Sequence, residues 1–289
     1  MKKIIALALA LVLALSFAAC KKEEEAPVET TTDAFADITL SDTLGERPTT
    51  ATENVEPATS VDAEGNVVTE PVTEAAKAPE GKEEIVEFFN TAVNNVKPNA
   101  KSVVHHYSKI TINGSTKFPK AIDTAMKLLG GADKFIGDQL AKNSQGEQTY
   151  TGDQITARFP VEGESYASKL TADDVKSAQI GWTEDGDYLI EITVYDDAKS
   201  SNVKHGTGHA PKAFNVVLPG VVNDNVPGPV ASMLGGEAEM NYPACKVRAV
   251  VDYETGNLIS ATYTMNWTIN FGTEIVLPFT TTDSYTIKY

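Results

Sequence analysis

The sequence predicts an α+β fold: an antiparallel, curved β-sheet of meander type with N-terminal helices packed on one face. Three observations predict it. Residues 83–96, EEIVEFFNTAVNNV, place Ile85, Phe89, Ala92, Val93 and Val96 on one helical face, with Val86 at its edge. Residues 258–271 alternate strictly, with Ile259, Ala261, Tyr263, Met265, Trp267, Ile269 and Phe271 on one side and hydroxyls or amides on the other. The run 176–195 reads as two strands joined through Thr183-Glu184-Asp185-Gly186-Asp187, where Asp-Gly is a strong turn signal. A helix set followed by antiparallel strands, each with one apolar face, is the α+β pattern.

The elements follow in order. Glu83 and Glu84 suit the positive end of the first helix, and Pro98 prevents its continuation. Ser102–Ile112 is rich in Val, Ile and Thr and reads as a strand that Asn113-Gly114 ends. Pro119 opens a second helix along Ala121, Ile122, Ala125, Met126 and Leu129, Gly130-Gly131 breaks it, and residues 132–142 resume the pattern. Thr171 with Asp173 and Asp174 reads as a capped helical turn. Residues 214–218 are a short strand candidate, 219–236 are loop-rich, and 244–252 alternate again before the turn at 253–257. The last strand sets Tyr285, Ile287 and Tyr289 opposite Ser284, Thr286 and Lys288. The 258–271 strand spans about 46 Å and the first helix only about 21 Å. One helix therefore cannot shield the apolar stripe. Either later helices complete the cover, or the sheet curls and encloses a cleft.

The first twenty residues set an address. Lys2 and Lys3 precede an apolar run from Ile4 to Phe17, then Ala18, Ala19 and Cys20. The run is short for a spanning helix, which needs about 20 apolar residues. Residues 1–19 read as a signal peptide and Cys20 as a lipidation site, because the pattern resembles the lipobox of bacterial lipoproteins. The resemblance implies a diacylglyceryl thioether on Cys20, which supplies both chains needed for a stable membrane anchor. Residues 20–82 then read as the lipidated Cys and a disordered, acidic, Thr/Glu/Pro-rich tether. From 21 to 82 there are fifteen acidic and five basic residues and one aromatic, Phe35. Such a composition does not offset the entropy of ordering. The chain carries −16 overall, +2 in the signal and −10 in the tether, which leaves −8 for a single extracytoplasmic domain at 83–289. An acidic chain without a Lys/Arg stripe repels nucleic acid. With Cys20 lipidated, Cys245 has no intramolecular partner and reads as a buried small apolar side chain.

Motifs for chemistry are sparse. No GxSxG, SxxK or HExxH occurs, and Gly130-Gly131 lacks the GKS/T ending of a phosphate loop. His205-Gly-Thr-Gly-His209 spaces two imidazoles four apart, a weak zinc candidate on a loop. His105 and His106 are strand neighbours and face opposite sides. Glu162 with Glu164, and Asp185 with Asp187, are carboxylate pairs of the spacing a glycosidase dyad needs, but they sit in acidic turns. No catalytic residue, metal or cofactor is assigned. Tyr263, Trp267, Phe271, Tyr285 and Tyr289 are candidate lining residues for a ligand cleft, and equally candidate core.

The layout of lipobox, tether, helix EEIVEFFNTAVNNVK and strands ending in DSYTIKY resembles cell-surface lipoproteins of unknown function from Gram-positive bacteria. The helix-plus-curved-sheet scheme is also similar, at fold level, to lipoprotein carriers of the LolA/LppX type, which hold acyl chains in a half-barrel. The expectation is a non-enzymatic binding module anchored at the cell envelope, carrying a lipid or other apolar ligand. The alternatives are a protein-interaction module that uses the polar sheet face or loops 199–236, and an envelope hydrolase with an unrecognised site.

Overall fold

The alternating segment 258–271 forms one continuous strand, and it organises the molecule. In the computed structural model the described residues are 40–48, 59–61, 67–69, 78–127, 130–141, 146–225, 234 and 236–289. The signal, Cys20 and most of the expected tether lie outside them. In chain order the strands are β1 (Thr59–Val61), β2 (Val67–Thr69), β3 (Ser102–Ile112), β4 (Gln148–Tyr150), β5 (Val175–Trp182), β6 (Tyr188–Val194), β7 (Asp197–Ser200), β8 (Ala238–Tyr242), β9 (Lys246–Val251), β10 (Leu258–Phe271) and β11 (Ile275–Lys288). The helices are α1 (Gly81–Asn94), α2 (Val96–Asn99), α3 (Lys120–Lys127), α4 (Ala132–Ala141), α5 (Asp153–Arg158) and α6 (Pro219–Asn225). β1 and β2 pair with each other; the other nine form one antiparallel, unclosed sheet.

The sheet order is β4-β3-β11-β10-β9-β6-β5, with β8 on the far half of β10 and β7 beside β8. Hairpins join β5 to β6 and run through β9, β10 and β11, as a meander requires. The first long strand, β3, instead closes against the last, β11, and β6 pairs with β9. Among the strand-to-strand pairings these carry the largest sequence separations. Two bulges re-aim side chains. One at 258–260 turns Leu258 inward and leaves Ile259, expected inward, half-buried. One beside His106 lets His105 and Tyr107 occupy opposite faces although they are two apart.

α1 buries Ile85, Val86, Phe89, Ala92 and Val93 against β5 and β6, as its periodicity predicts. The helical path does not end before Pro98. Asn95 forms a turn, and α2 contains Pro98 in its single turn, where the missing N–H costs little. α4 packs against β3, so the helices cover the two flanks of the inner face. Neither sequence alternative describes its centre, which is covered by irregular chain. Phe159 lies edge-on to Tyr285 at 5.4 Å, and Phe214 edge-on to Tyr263 at 5.6 Å. Residues 214–218, expected as a strand, are therefore loop, because Phe214 and Val216 bond within the local turn and not to a strand. The loop-rich stretch after it opens with the short helix α6.

Polar side chains of α1 and α2 hold that central cover. Asn90, Asn94 and Lys97 fall at i, i+4 and i+7, one stripe of the helical path. Asn90 Nδ2 donates to Leu170 O at 2.7 Å, and Asn94 Nδ2 to Ser168 O at 2.9 Å. The backbone N–H groups of Ala167 and Ser168 donate back to Asn94 Oδ1. Buried Lys97 donates from Nζ to Val161 O, Glu164 O and Tyr166 O at 2.7, 2.8 and 2.9 Å. A loop cannot be buried without partners for its carbonyls, and this stripe supplies them.

Part of the expected tether is not free. Ser41 exchanges backbone hydrogen bonds with Ile180 on the edge strand β5, at 3.1 and 2.7 Å. Gly81 N donates to Asp42 O, Trp182 Nε1 to Gly45 O at 2.7 Å, and Arg47 Nε to Gly186 O at 3.0 Å. The Arg47 guanidinium lies 3.9 Å from the centre of the Tyr253 ring, beside the stacked Trp182 and Tyr188 rings. Residues 40–48 thus cover an edge that would otherwise offer unpaired donors and acceptors. Composition hides this segment because only Leu44 and Arg47 anchor it to a side-chain surface. Replacing Arg47 by Ala is expected to destabilise the whole domain by only about 1 kcal/mol. It should nonetheless speed exchange of the Ser41 and Ile180 amides markedly. Unchanged protection of both amides would contradict the docking.

Candidate binding face

The two faces of the sheet differ in kind. Inward positions run in apolar rows such as Ile180, Ile190, Ala249, Ala261 and Tyr285. Two outward rows are polar, while the row beside them places buried Leu189 and Val250 next to Ser260. One polar row reads Gln179, Glu191, Arg248, Thr262, Ser284 and Tyr107, and the next reads Ser177, Thr193, Lys246, Thr264, Thr282 and Lys109. Ser260, Thr262, Thr264, Asn266, Thr280, Thr282, Ser284 and Thr286 all remain partly exposed. Adjacent rows are about 7 Å apart and adjacent strands about 4.8 Å. Glu191 accepts from Arg248 Nε at 2.7 Å and pairs with Lys246 Nζ at 2.9 Å. Burial alone would raise the Glu191 carboxyl, but these two cations hold it below its ordinary range. Asn266 Oδ1 accepts from Asn113 Nδ2 and Thr280 Oγ1, which fixes the amide. This platform was legible as the open side of a sheet; its cross-strand rows, which need register, were not.

The aromatic candidates lie elsewhere. Tyr263, Trp267, Phe271 and Tyr285 are in the hydrophobic core, each at most 3 % exposed, and Tyr289 is half-buried against it. They touch protein: the Trp267 ring lies tilted against Phe279 at 4.7 Å, and Tyr263 meets Tyr285 at 6.0 Å. The Tyr263 hydroxyl is buried without a partner, and burial raises its pKa. A depression of about 480 Å³ lies at the start of α3, lined by Phe118, Pro119, Asp123 and Glu274 among others, and none of the five aromatics borders it.

The histidines and carboxylates form separate links. His105, buried, bonds Asp283 Oδ1 through Nε2 at 3.0 Å and Tyr150 Oη through Nδ1 at 3.1 Å, and stacks on Tyr285 at 4.5 Å. Both ring nitrogens are engaged within the fold, which fixes the orientation of the ring. His106 faces outward between Glu147 and Thr286, as strand alternation predicts. Partial burial raises the Glu162 carboxyl, Arg158 opposes that rise, and Asp283 reinforces it. Glu162 is bonded to Asn215 in both directions, while Glu164 contributes its backbone carbonyl to Lys97. Asp187 Oδ1 accepts from Tyr253 N, and the Asp187 backbone closes the β5–β6 turn with Thr183. Cys245 is buried, its thiol pushed up by burial, and Sγ donates to Asn266 O at 3.3 Å.

His205 and His209 do not share a centre. His209 Nδ1 donates to Asp174 at 3.0 Å; His205 Nδ1 is buried without a partner, and burial lowers that imidazole's pKa. Among the described residues no three His, Cys, Asp or Glu side chains come together as a metal site. The glycines of this motif have a packing reason. At Gly206, with φ +74°, a Cβ would lie 2.7 Å from Tyr166 Oη. At Gly208, with φ +72°, a Cβ would lie 2.7 Å from Asp197 Oδ1, which accepts His209 N. The spacing of the two histidines therefore follows from a tight loop.

Asp174 is the anchor of that loop. It accepts from Lys212 Nζ at 2.6 Å, from Thr171 N and Oγ1 at 2.8 Å, and from His209. Burial alone would raise its carboxyl, but these bonds prevail and hold it below the ordinary carboxylate range. The folded value is depressed, so its stabilisation is present above the unfolded value of about 3.9 and is lost as pH falls through the folded value. Asp174→Asn is expected to cost about 2 kcal/mol at pH 7. The gap between variant and wild-type urea midpoints should narrow at pH 3; a constant gap would contradict this assignment.

Searches of protein-family models, curated proteins and solved structures find no match to this chain. The choice of binding face therefore rests on geometry. What the outer face can do chemically is donate and accept hydrogen bonds across several strands, with cations at defined positions.

Proposed function

We propose that this chain is a lipid-anchored, extracytoplasmic binding domain that engages a partner at the cell envelope through the outer face of its sheet. The anchor is the thioether at Cys20 that the lipobox resemblance implies. One observation supports the choice of face: the in-register rows of hydroxyl, amide and charged side chains across β3, β11, β10, β9 and β6, each keeping water contact. An apolar-carrier role is not favoured, because the aromatics that would line its cavity pack against protein. The face needs no enzyme chemistry, and its hydroxyls add many weak, directional contacts.

The test uses the full chain. Wild-type protein should co-sediment with purified envelope fragments, and Thr264→Trp with Thr282→Trp should abolish retention without lowering the melting temperature. Alanine at Lys127 and Lys134, on the exposed helical side, should leave retention unchanged. Retention that survives the tryptophan pair, or fails with the helical pair, overturns the choice of face. Cys20→Ser should separately shift the protein from the detergent phase to the aqueous phase; a variant that stays in the detergent phase overturns the anchor.

A further inference from the structure

The outer face does not share the charge of the molecule that bears it. Residues 83–289 carry −8 and the tether −10. The outward positions of β3, β6 and β8 to β11 nevertheless hold four cations, Lys109, Lys246, Arg248 and Lys288, against two carboxylates, Glu191 and Glu239. No run of sequence contains this excess; register brings Lys109, Lys246 and Arg248 into two adjacent rows, with Lys288 at the end of β11. In one row Lys246 and Lys109 flank Thr264 and Thr282, so two ammonium groups bracket two hydroxyls over about 14 Å. In the neighbouring row Arg248, Thr262, Ser284 and Tyr107 set a guanidinium and a phenol at either end of two hydroxyls.

Resting on the binding reading above, we infer that the outer face recognises an anionic, hydroxyl-rich polymer: a glycan chain bearing carboxylate or phosphodiester groups, lying across the strands. Charge complementarity selects it. Ammonium and guanidinium groups at the row ends meet anionic groups along the chain, and Arg in particular grips planar carboxylate and phosphate. The threonine and serine hydroxyls between them exchange hydrogen bonds with sugar hydroxyls, and the Tyr107 ring offers a flat apolar surface with a polar tip. Glu191 ties Lys246 and Arg248 in place and so fixes the spacing of the cations.

The probe is polygalacturonate, with its methyl ester as a neutral polymer of the same backbone. Full-length protein in detergent micelles at 0.15 M salt (on the order of the physiological value) should bind the acid and hold the ester at least about tenfold more weakly. Lys109→Gln with Lys246→Gln should weaken the acid by about tenfold or more and leave thermal unfolding in place. Equal affinity for acid and ester, an unaffected double variant, or equally tight binding of single-stranded DNA would each overturn the inference. If the tryptophan pair abolishes envelope retention while polygalacturonate is not bound, the face reading stands and this inference alone falls.

Discussion

Lys97→Met should destabilise the domain by about 3–4 kcal/mol, because three buried carbonyls lose their shared donor at once while the aliphatic stem stays packed. The loss should be local first. Amide exchange should accelerate across 159–170, which Lys97, Asn90 and Asn94 hold, before it accelerates in β10. The ammonium itself is strained by its position. Burial lowers its pKa from the ordinary lysine value to about 8, with Glu164 and Glu162 opposing that fall. The folded value lies below the unfolded one, so the unfolded chain binds more protons between about pH 8 and the lysine value of about 10.4. The penalty for burying the charge is full below pH 8 and is relieved as pH rises through that window. Urea midpoints measured from pH 7 to 10 should show this rising contribution in the wild type and not in Lys97→Met. Parallel curves would contradict the role given to Lys97.

Trp267→Ala is the second large effect, at about 3–5 kcal/mol. Trp267 is almost fully buried in the middle of β10, lies against Phe279, and donates from Nε1 to Thr281 Oγ1 at 2.9 Å. Truncation removes a large apolar surface and leaves a cavity between two strands that pair along most of their length. Trp267→Phe should cost about 1–2 kcal/mol, since it keeps most of the packing and strands only the Thr281 hydroxyl. Denaturant unfolding of the two variants checks the ranking. Equal losses would mean that the indole hydrogen bond, and not volume, dominates this site.

Much of the fold was readable because periodicity survives in single strands and helices. Ile85, Phe89, Ala92 and Val93 are buried as the 3.6-residue period implies, and β5 and β6 close at the Asp-Gly turn. Thr171 and Asp174 form a reciprocal capping box. What was hidden is non-local. β4, β7 and β8 are five residues or fewer and find their places only through partners distant in sequence. The docking of 40–48 rests largely on backbone bonds, and only Leu44 and Arg47 of the segment add side-chain contacts. Asn90, Asn94 and Lys97 lie off the apolar face that the helical period picks out, yet they serve as internal partners for a buried loop. The same limit applies to the outer face. Thr262, Thr264 and Asn266 were readable as water-facing, but the alignment of Lys109 with Lys246 needs the register of four strands.

The most direct test of the binding face is a lysine-acetylation footprint of the full-length protein, read by mass spectrometry with and without purified envelope fragments. Lys109 and Lys246 should lose reactivity when the fragments are present, while Lys127 and Lys134 keep theirs. Protection of Lys127 and Lys134 with Lys109 and Lys246 unchanged would place the contact on the helical side and contradict the account.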